Sequence, residues 1–268
     1  MRSGLDNPLC MTTTDPRPTT AAPRVALRDR VLKFAEFLTT PLLPSDYLDL
    51  VAPLRSGADL RGRIEAVLPE TRDAATLVIR PGRGWKGHRP GQYVRIGIDV
   101  DGVRQWRAYS VTSDLGRGDG CITVTVKAIP DGKVSNHLVH ATAPGTVIQL
   151  DQAAGEFCLP DHHPEKALFI TAGSGITPVM GMLRNHPELT DVVLVHSAPT
   201  AEDVVFGADL RERAAEGRIR LVEQHTDTDG MLSAADIAEL VPDFANETVP
   251  PSPVTCTVGR KRSVYSRS

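Results

Sequence analysis

From about Leu60 to Leu150 the chain is built of short runs in which apolar and β-branched residues alternate with polar ones, the two-residue period of a half-buried strand. LRGRIEAVL, ATLVIR, GQYVRIGIDV, VRQWRAYSV, CITVTVKAI and TVIQL are the predicted strands. Turns at Pro81-Gly82, Asp101-Gly102 and Gly116 to Gly120 separate them. One helical stretch interrupts, VSNHLVHAT, entered through Asp131-Gly132-Lys133. Six strands with a late helix predict a small antiparallel barrel. Beyond Pro164 the pattern changes. ALFITA, DVVLVHS and IRLVEQHT form largely apolar runs, and each is followed by a helical pattern: VMGMLRNH, DLRERAAEG and SAADIAELV. Such strands alternating with helices predict a parallel sheet covered on both faces. Upstream, RVALRDRVLKFAEFL carries Leu27, Val31, Phe34 and Leu38 at helical spacing, with charges between them. The predicted fold is an antiparallel six-stranded β-barrel followed by an α/β parallel-sheet (Rossmann-like) domain. Its expected divisions are a disordered leader (1–23), a helical extension (24–58), the barrel (59–162), the α/β domain (163–249) and an atypical tail (250–268).

At 268 residues the chain has length for two ordinary domains, each with its own core. A charged fraction of 24% and a net charge of -3 give no sign of a nucleic-acid or polyanion partner. Cys10, Cys121, Cys158 and Cys256 lie far apart, and neither CxxC nor the CxxxxCxxC run of a plant-type cluster occurs, so no iron–sulfur cluster is expected in this chain. No apolar run approaches the roughly 20 residues that span a bilayer, and the start has no apolar signal core. The expectation is a cytoplasmic protein, with the leader disordered or with Met11 as the true start. A surface helix at 24–38 leaves room for peripheral membrane association, although packing on the next domain explains it as well.

Two groups of residues carry candidate chemistry. Thr171-Ala-Gly-Ser-Gly-Ile-Thr-Pro178 stands at the first strand-to-helix turn of the α/β half. Gly173 and Gly175 permit a sharp turn and close approach of backbone to a pyrophosphate. Thr177 is placed to cap the helix, and Pro178 suits its first position. The free N–H groups and the helix dipole then favour a phosphate. The third glycine of the usual dinucleotide fingerprint is absent, and such a loop also serves simply to reverse a chain. In the barrel half, Arg107-Ala108-Tyr109-Ser110 lies in a strand, with Arg107 and Tyr109 expected on one face. Gly132-Lys133-Val134-Ser135 opens the lone helix, with Ser135 as its expected N-cap. Arg89-Pro90-Gly91-Gln92-Tyr93 leads into a strand. Each alone is common.

In this order, PGQYV, RAYS, GKVSNHL and TAGSGITPVMGML resemble the signature of the ferredoxin–NADP reductase superfamily, over about residues 60–245. Within it the chain looks most like the actinobacterial flavin reductases that serve fatty-acyl desaturases and hydroxylating oxygenases, which usually end in a [2Fe–2S] domain. The resemblance implies a barrel that binds FAD and an α/β domain that binds NADH or NADPH, with FAD preferred to FMN because GKVS is similar to a pyrophosphate-binding turn. It implies that Arg107 pairs with the flavin phosphate and that Tyr109 lies against the isoalloxazine. Ser110 would bond near the reactive flavin nitrogen. Val134, Ser135 and Lys127 would hold the pyrophosphate. Gly173, Gly175 and Pro178 would cradle the nicotinamide dinucleotide, with Thr177 where the two cofactors meet and His196 and Ser197 at the nucleotide's far end. It implies electron transfer from NAD(P)H through FAD to a ferredoxin-like, oxygenase or desaturase acceptor.

The chain departs from that pattern in three places. The stretches after the second and third parallel strands, His196 to Thr200 and His225 to Met231, lack the family's arginines. Asp227 and Asp229 would repel a 2′-phosphate, which tilts the expectation to NADH. The last strand's Cys-Gly-Pro turn is replaced by Pro253 to Gly259, with Cys256 as the candidate equivalent. The basic tail reads as the product of a frameshift or early stop, so that the last strand and helix of the parallel sheet are incomplete and the iron–sulfur domain is missing. Catalytic roles would then fall to Ser110, Thr177 and Cys256. Two alternatives stand beside the reductase: a truncated flavin-binding protein with little turnover, and a barrel-plus-Rossmann protein that binds another nucleotide without redox chemistry. No metal site is expected; His162-His163 reads as a linker, and His137 and His140 have no third ligand in view.

Overall fold

In the computed structural model of the chain, the described residues are Leu54, 59–161 and 164–242. The expectations for the leader, the helical extension, His162-His163, the last parallel strand, Cys256 and the tail lie outside them. All described residues belong to one compact unit.

Six antiparallel strands form the first sheet: β1 (Arg61–Thr71), β2 (Ala74–Pro81), β3 (Tyr93–Val100), β4 (Val103–Ser110), β5 (Ile122–Lys127) and β6 (Val147–Leu150). They pair in the order β4-β3-β6-β1-β2-β5. The two outer strands meet where Val111 bridges Val124 and the Thr112 N–H donates to the Thr123 carbonyl at 2.8 Å, which closes the sheet into a barrel. Alternation works as expected along β3, where Val94, Ile96 and Ile98 point inward and join Ile64, Leu77, Ile79, Val124 and Val126 in the core. β2 and β5 are different: nearly every residue in them is buried. On their polar side Thr76, Thr112, Thr123 and Thr125 bond to one another, with Thr76 to Thr125 at 2.7 Å and Thr112 to Thr123 at 2.9 Å, so hydroxyls fill what the period marks as solvent positions.

The predicted helix of the barrel half is two pieces, α1 (Lys133–Asn136) and a wider π turn over His137–Ala141, with Leu138 buried as its anchor. Gly132 is the N-cap of α1. Ser135 is inside the first turn, a correction to the expected cap: its hydroxyl donates to the Gly132 carbonyl at 3.1 Å and accepts the Ile129 N–H at 3.3 Å, closing the loop in front of the helix.

The second sheet is parallel, in the order β7 (Lys166–Ala172), β8 (Asp191–Ala198), β9 (Arg220–His225). One face packs Phe169 and Leu194 against α2 (Ile176–Asn185) and α3 (Gly207–Ala215) through Met180, Met182, Leu183 and Leu210. The other face packs Val193 and Val195 against Leu240 and Val241, at the end of α5 (Ala234–Leu240). A short helical turn, α4 (Thr226–Asp229), follows β9. Covering on both faces is why β7 and β8 read as apolar runs, whereas no residue of β9 is fully buried.

Candidate active site

The C-terminal edge of β7 and the end of β4 face a shared cleft of about 710 Å³, within the range of roughly 300–1,000 Å³ typical of small-molecule sites. Arg107, Tyr109, Ser110, Lys127 and the opening of α1 form one wall; Ser174, Gly175, Thr177 and Pro178 form the other. Residues from 39 (Ser135 to Ser174) to 71 (Arg107 to Pro178) positions apart in sequence, singled out from separate motifs, thus line one cavity.

On the barrel wall, β4 does not divide its side chains between two faces as a plain alternation predicts. Arg107 and Ala108 are exposed, Tyr109 and Ser110 half-buried, and all four border the cleft. The Arg107 guanidinium donates at 2.7 Å to the carbonyl of Trp106 and meets no carboxylate among the described residues, so most of its five donors face the cleft side free for an anion. Tyr109 packs its ring against the barrel core, and burial pushes its phenol up to about 12, so it stays an un-ionised donor. Lys127 borders the cleft but is held by Asp73, Nζ to Oδ1 2.6 Å. Burial raises the Asp73 carboxyl, but the bonds from Lys127 and Thr71 outweigh it and leave the group below its usual range. Lys127 therefore brings a neutralised pair to the site rather than a spare charge. At α1 the amides of Lys133, Val134 and Ser135 open the helix, where no earlier turn supplies a carbonyl. Because the Ser135 hydroxyl is engaged in its own loop, what this element offers an anion is backbone.

On the opposite wall, Gly173 to Gly175 make one 3₁₀ turn before α2. Gly173 has a φ of +51°, and a Cβ there would meet nothing within 4 Å, so the backbone conformation and not crowding explains the glycine. Thr177 is the second residue of α2 and is buried. Its hydroxyl donates back to the Ser174 carbonyl at 2.9 Å, bracing the loop, so the expected capping role is corrected: Gly175 holds the cap position.

His196 is not at the cleft. It is fully buried beneath the strand ends, with Nδ1 2.8 Å from the Thr171 hydroxyl and Nε2 without a partner. Burial, opposed by the charge of Glu223, pushes it down to about 4 and keeps it neutral. His196 does not border the cleft; it braces β8 against β7, the strand that leads into the Gly173 loop. Ser197, its neighbour, does not border the cleft either. The Asp229 carboxylate accepts the His225 N–H at 3.1 Å and the Thr228 hydroxyl at 3.1 Å, turned into its own loop. Among the described residues no group of three metal-ligating side chains occurs, and no helix is long and apolar enough to cross a membrane.

Several functional neighbours carry no local signal. Asp73 governs Lys127 from 54 residues away. Arg184 and Asn185 reach the loop after β4, and Arg72 in the β1–β2 turn pairs with the buried Asp203 at 3.2 Å. Only Ser174, inside the glycine motif, was open to discovery from its neighbours.

The cleft residues fit a dinucleotide with a flat ring: a guanidinium and a helix opening for phosphates, a half-buried phenol beside a strand hydroxyl, and a backbone turn facing them. Residues 72–158 match the oxidoreductase FAD-binding domain family. The chain is 49% identical over 238 residues to the NADPH oxidoreductase of Mycobacterium tuberculosis, covering 84% of this chain and 63% of that protein. It is 32% identical over 194 residues to the ferredoxin reductase component of 3-ketosteroid-9-alpha-monooxygenase from Mycolicibacterium smegmatis, covering 68% and 54%. It thus spans less than two thirds of either relative. Its fold is shared with a ferredoxin NADP+ reductase from Neisseria gonorrhoeae with bound FAD and NADP, with a TM-score of 0.57 at 24% identity, over 74% of this chain and 84% of that one. Barrel, parallel sheet, matched FAD-binding domain and relatives together place the chain in the ferredoxin–NADP reductase superfamily.

Proposed function

We propose that this protein is an FAD-dependent NAD(P)H oxidoreductase that passes electrons to an iron–sulfur protein or oxygenase partner. The observation that carries the reading is the single cleft that joins Arg107, Tyr109 and Ser110 of the barrel to Ser174, Gly175 and Thr177 of the parallel sheet. A pocket for one nucleotide needs only one wall; a hydride donor and acceptor brought face to face need two.

Bound FAD would supply the redox chemistry, taking up a hydride as two electrons and releasing them singly. The protein's part is positioning. Arg107 and the amides that open α1 would hold the flavin's phosphates. Tyr109, un-ionised and backed by the core, would bear on the ring, and Ser110 would place a hydroxyl beside it. Gly173 to Gly175 would admit the pyrophosphate of the nicotinamide nucleotide, and Thr177, braced on Ser174, would stand where the nicotinamide enters. Of the two nucleotides NADPH is favoured. A relative at 49% identity bears that name, and Asp229, one of the two carboxylates expected to repel the 2′-phosphate, is committed to its own turn. The M. smegmatis relative is named as a monooxygenase component, which supports an oxygenase-type acceptor; a membrane desaturase is a further candidate to assay.

The test is direct. FAD-reconstituted protein under anaerobic conditions is expected to lose its visible flavin absorption on addition of NADPH, more efficiently than with NADH. A protein that cannot be loaded with FAD, or whose flavin neither nucleotide bleaches, overturns the reading.

A further inference from the structure

The cleft depends on two sheets keeping a fixed separation, and the structure concentrates their junction at one place. α2 begins at the cleft and ends on the loop after β4. At its middle, Gly181 lies flat against the Val111 carbonyl: a Cβ there would sit 2.5 Å from that oxygen, well inside the roughly 3.5 Å of an ordinary contact. One turn later Arg184 donates through Nη1 to the Thr112 carbonyl at 2.9 Å. Asn185 donates through Nδ2 to the Ser113 carbonyl at 2.9 Å and to the Gly181 carbonyl at 2.7 Å, while its Oδ1 accepts the Leu115 N–H at 2.7 Å. The far side of Arg184 is fixed too, with Nη2 3.0 Å from Asp209 and the guanidinium over the Phe206 ring at 4.9 Å. Arg213 completes the clasp at 2.6 Å from Asp209.

This junction stands next to the site in sequence on both sides. Val111 directly follows Ser110. Thr177 precedes Gly181 by four residues, so the two lie on the same face of α2, about 6 Å apart along its axis. Any displacement of Gly181 from Val111 therefore moves Thr177 relative to Ser110.

Building on the oxidoreductase reading, we propose that Gly181, Arg184 and Asn185 are positioning residues that set the separation of the Ser110 and Thr177 walls and thereby the rate of hydride transfer. The reaction concerned takes NADPH, FAD and one solvent proton to NADP+ and FADH2. The hydride passes from the nicotinamide to the flavin, and the proton neutralises the reduced ring. None of the three residues borders the cleft. A side chain at position 181 would push the walls apart by about 1 Å, a displacement worth up to about 100-fold when reacting groups must be aligned.

FAD-loaded wild type, Gly181→Ala and Asn185→Ala are compared in three measurements: the Kd for FAD, the Kd for NADP+ from difference spectra, and the anaerobic rate of flavin bleaching at saturating NADPH. Both dissociation constants are expected within about threefold of wild type. The bleaching rate is expected to fall about 10- to 100-fold in Gly181→Ala and about 3- to 10-fold in Asn185→Ala. If Gly181→Ala does not fold, Asn185→Ala decides. Unchanged rates in the folded variants overturn the proposal, and so does a rate loss matched by an equal loss of FAD or NADP+ affinity, the signature of general destabilisation. Wild-type flavin that NADPH and NADH both leave unbleached removes the oxidoreductase reading and this proposal together, before any variant is made.

Discussion

The barrel wall and the parallel-sheet wall offer a ligand different things. The barrel presents side chains: a guanidinium without a carboxylate partner among the described residues, an un-ionised, half-buried phenol and a strand hydroxyl, each projecting from a closed sheet with a core of its own. The parallel sheet presents backbone, a three-residue turn whose one conformational requirement is met by Gly173, and places its polar side chains, Thr171, Thr177 and His196, inward as braces. Recognition on the first wall is thus open to single substitutions that leave the fold alone. On the second wall, function and local stability share the same atoms.

The largest effect expected from that contrast is at Arg107. Arg107→Ala would remove the proposed charge-assisted phosphate contact by truncating a side chain that is exposed on β4. FAD affinity is expected to fall roughly 10- to 100-fold, with little change in Tm of the flavin-free protein. Titration of apoprotein with FAD, beside a thermal melt, measures both. Equal losses of affinity and stability would erase the distinction between the walls.

His196 tests the second wall through pH. Burial holds it down to about 4, and His88 is lowered from 6.5 in the same way. The unfolded chain protonates at these positions as pH falls through about 6.5, the folded chain only later. Their stabilising contribution is therefore complete above about 6.5 and is lost as pH falls, for His196 progressively toward pH 4. For His196 the loss reaches about 2 kcal/mol by pH 5. Half-buried carboxylates such as Asp209, raised by burial but lowered further by Arg213 and Arg184, act only below that window. Urea unfolding at pH 7 and pH 5 is expected to show the drop in the wild type and a smaller one in His196→Asn, which keeps a polar partner for Thr171 but does not titrate.

The same contrast explains what could be read from the chain. The two sheets were legible because periodicity records burial on a residue's own strand: alternating runs for β3, continuous ones for β7 and β8. The cleft was legible because Arg107, Tyr109, Ser110 and the Gly173 loop belong to short motifs. What failed were partnerships. Thr177 and Ser135 read as caps because their types suit caps, yet each hydroxyl braces a loop one turn earlier. Lys127, which the resemblance gives as a pyrophosphate contact, has its ion-pair partner Asp73 54 positions away, where no local pattern shows it. His196, which the resemblance gives as a nucleotide contact, stands in register with Thr171 and is buried against it, a placement that no local pattern shows. Arg184 bonds Thr112 across 72 positions, which no local pattern encodes.

The smallest effect separates conformation from contact at the turn itself. Gly173→Ala adds a methyl that meets nothing within 4 Å, so crowding contributes nothing. The φ of +51° alone should cost about 1 kcal/mol. Gly173 itself does not border the cleft but directly precedes Ser174, which does. If the loop receives a pyrophosphate, the added methyl would stand beside the ligand, so the KM for NADPH should rise by more than the lost stability explains, while FAD affinity stays unchanged. Gly217, with a φ of +73° and equally open surroundings, is the control because it lies at the end of α3 and outside the cleft. Gly217→Ala carries the same backbone strain and is expected to leave the KM alone. A matching rise in both variants would mean that the loop acts through stability, and that the second wall recognises nothing by its backbone.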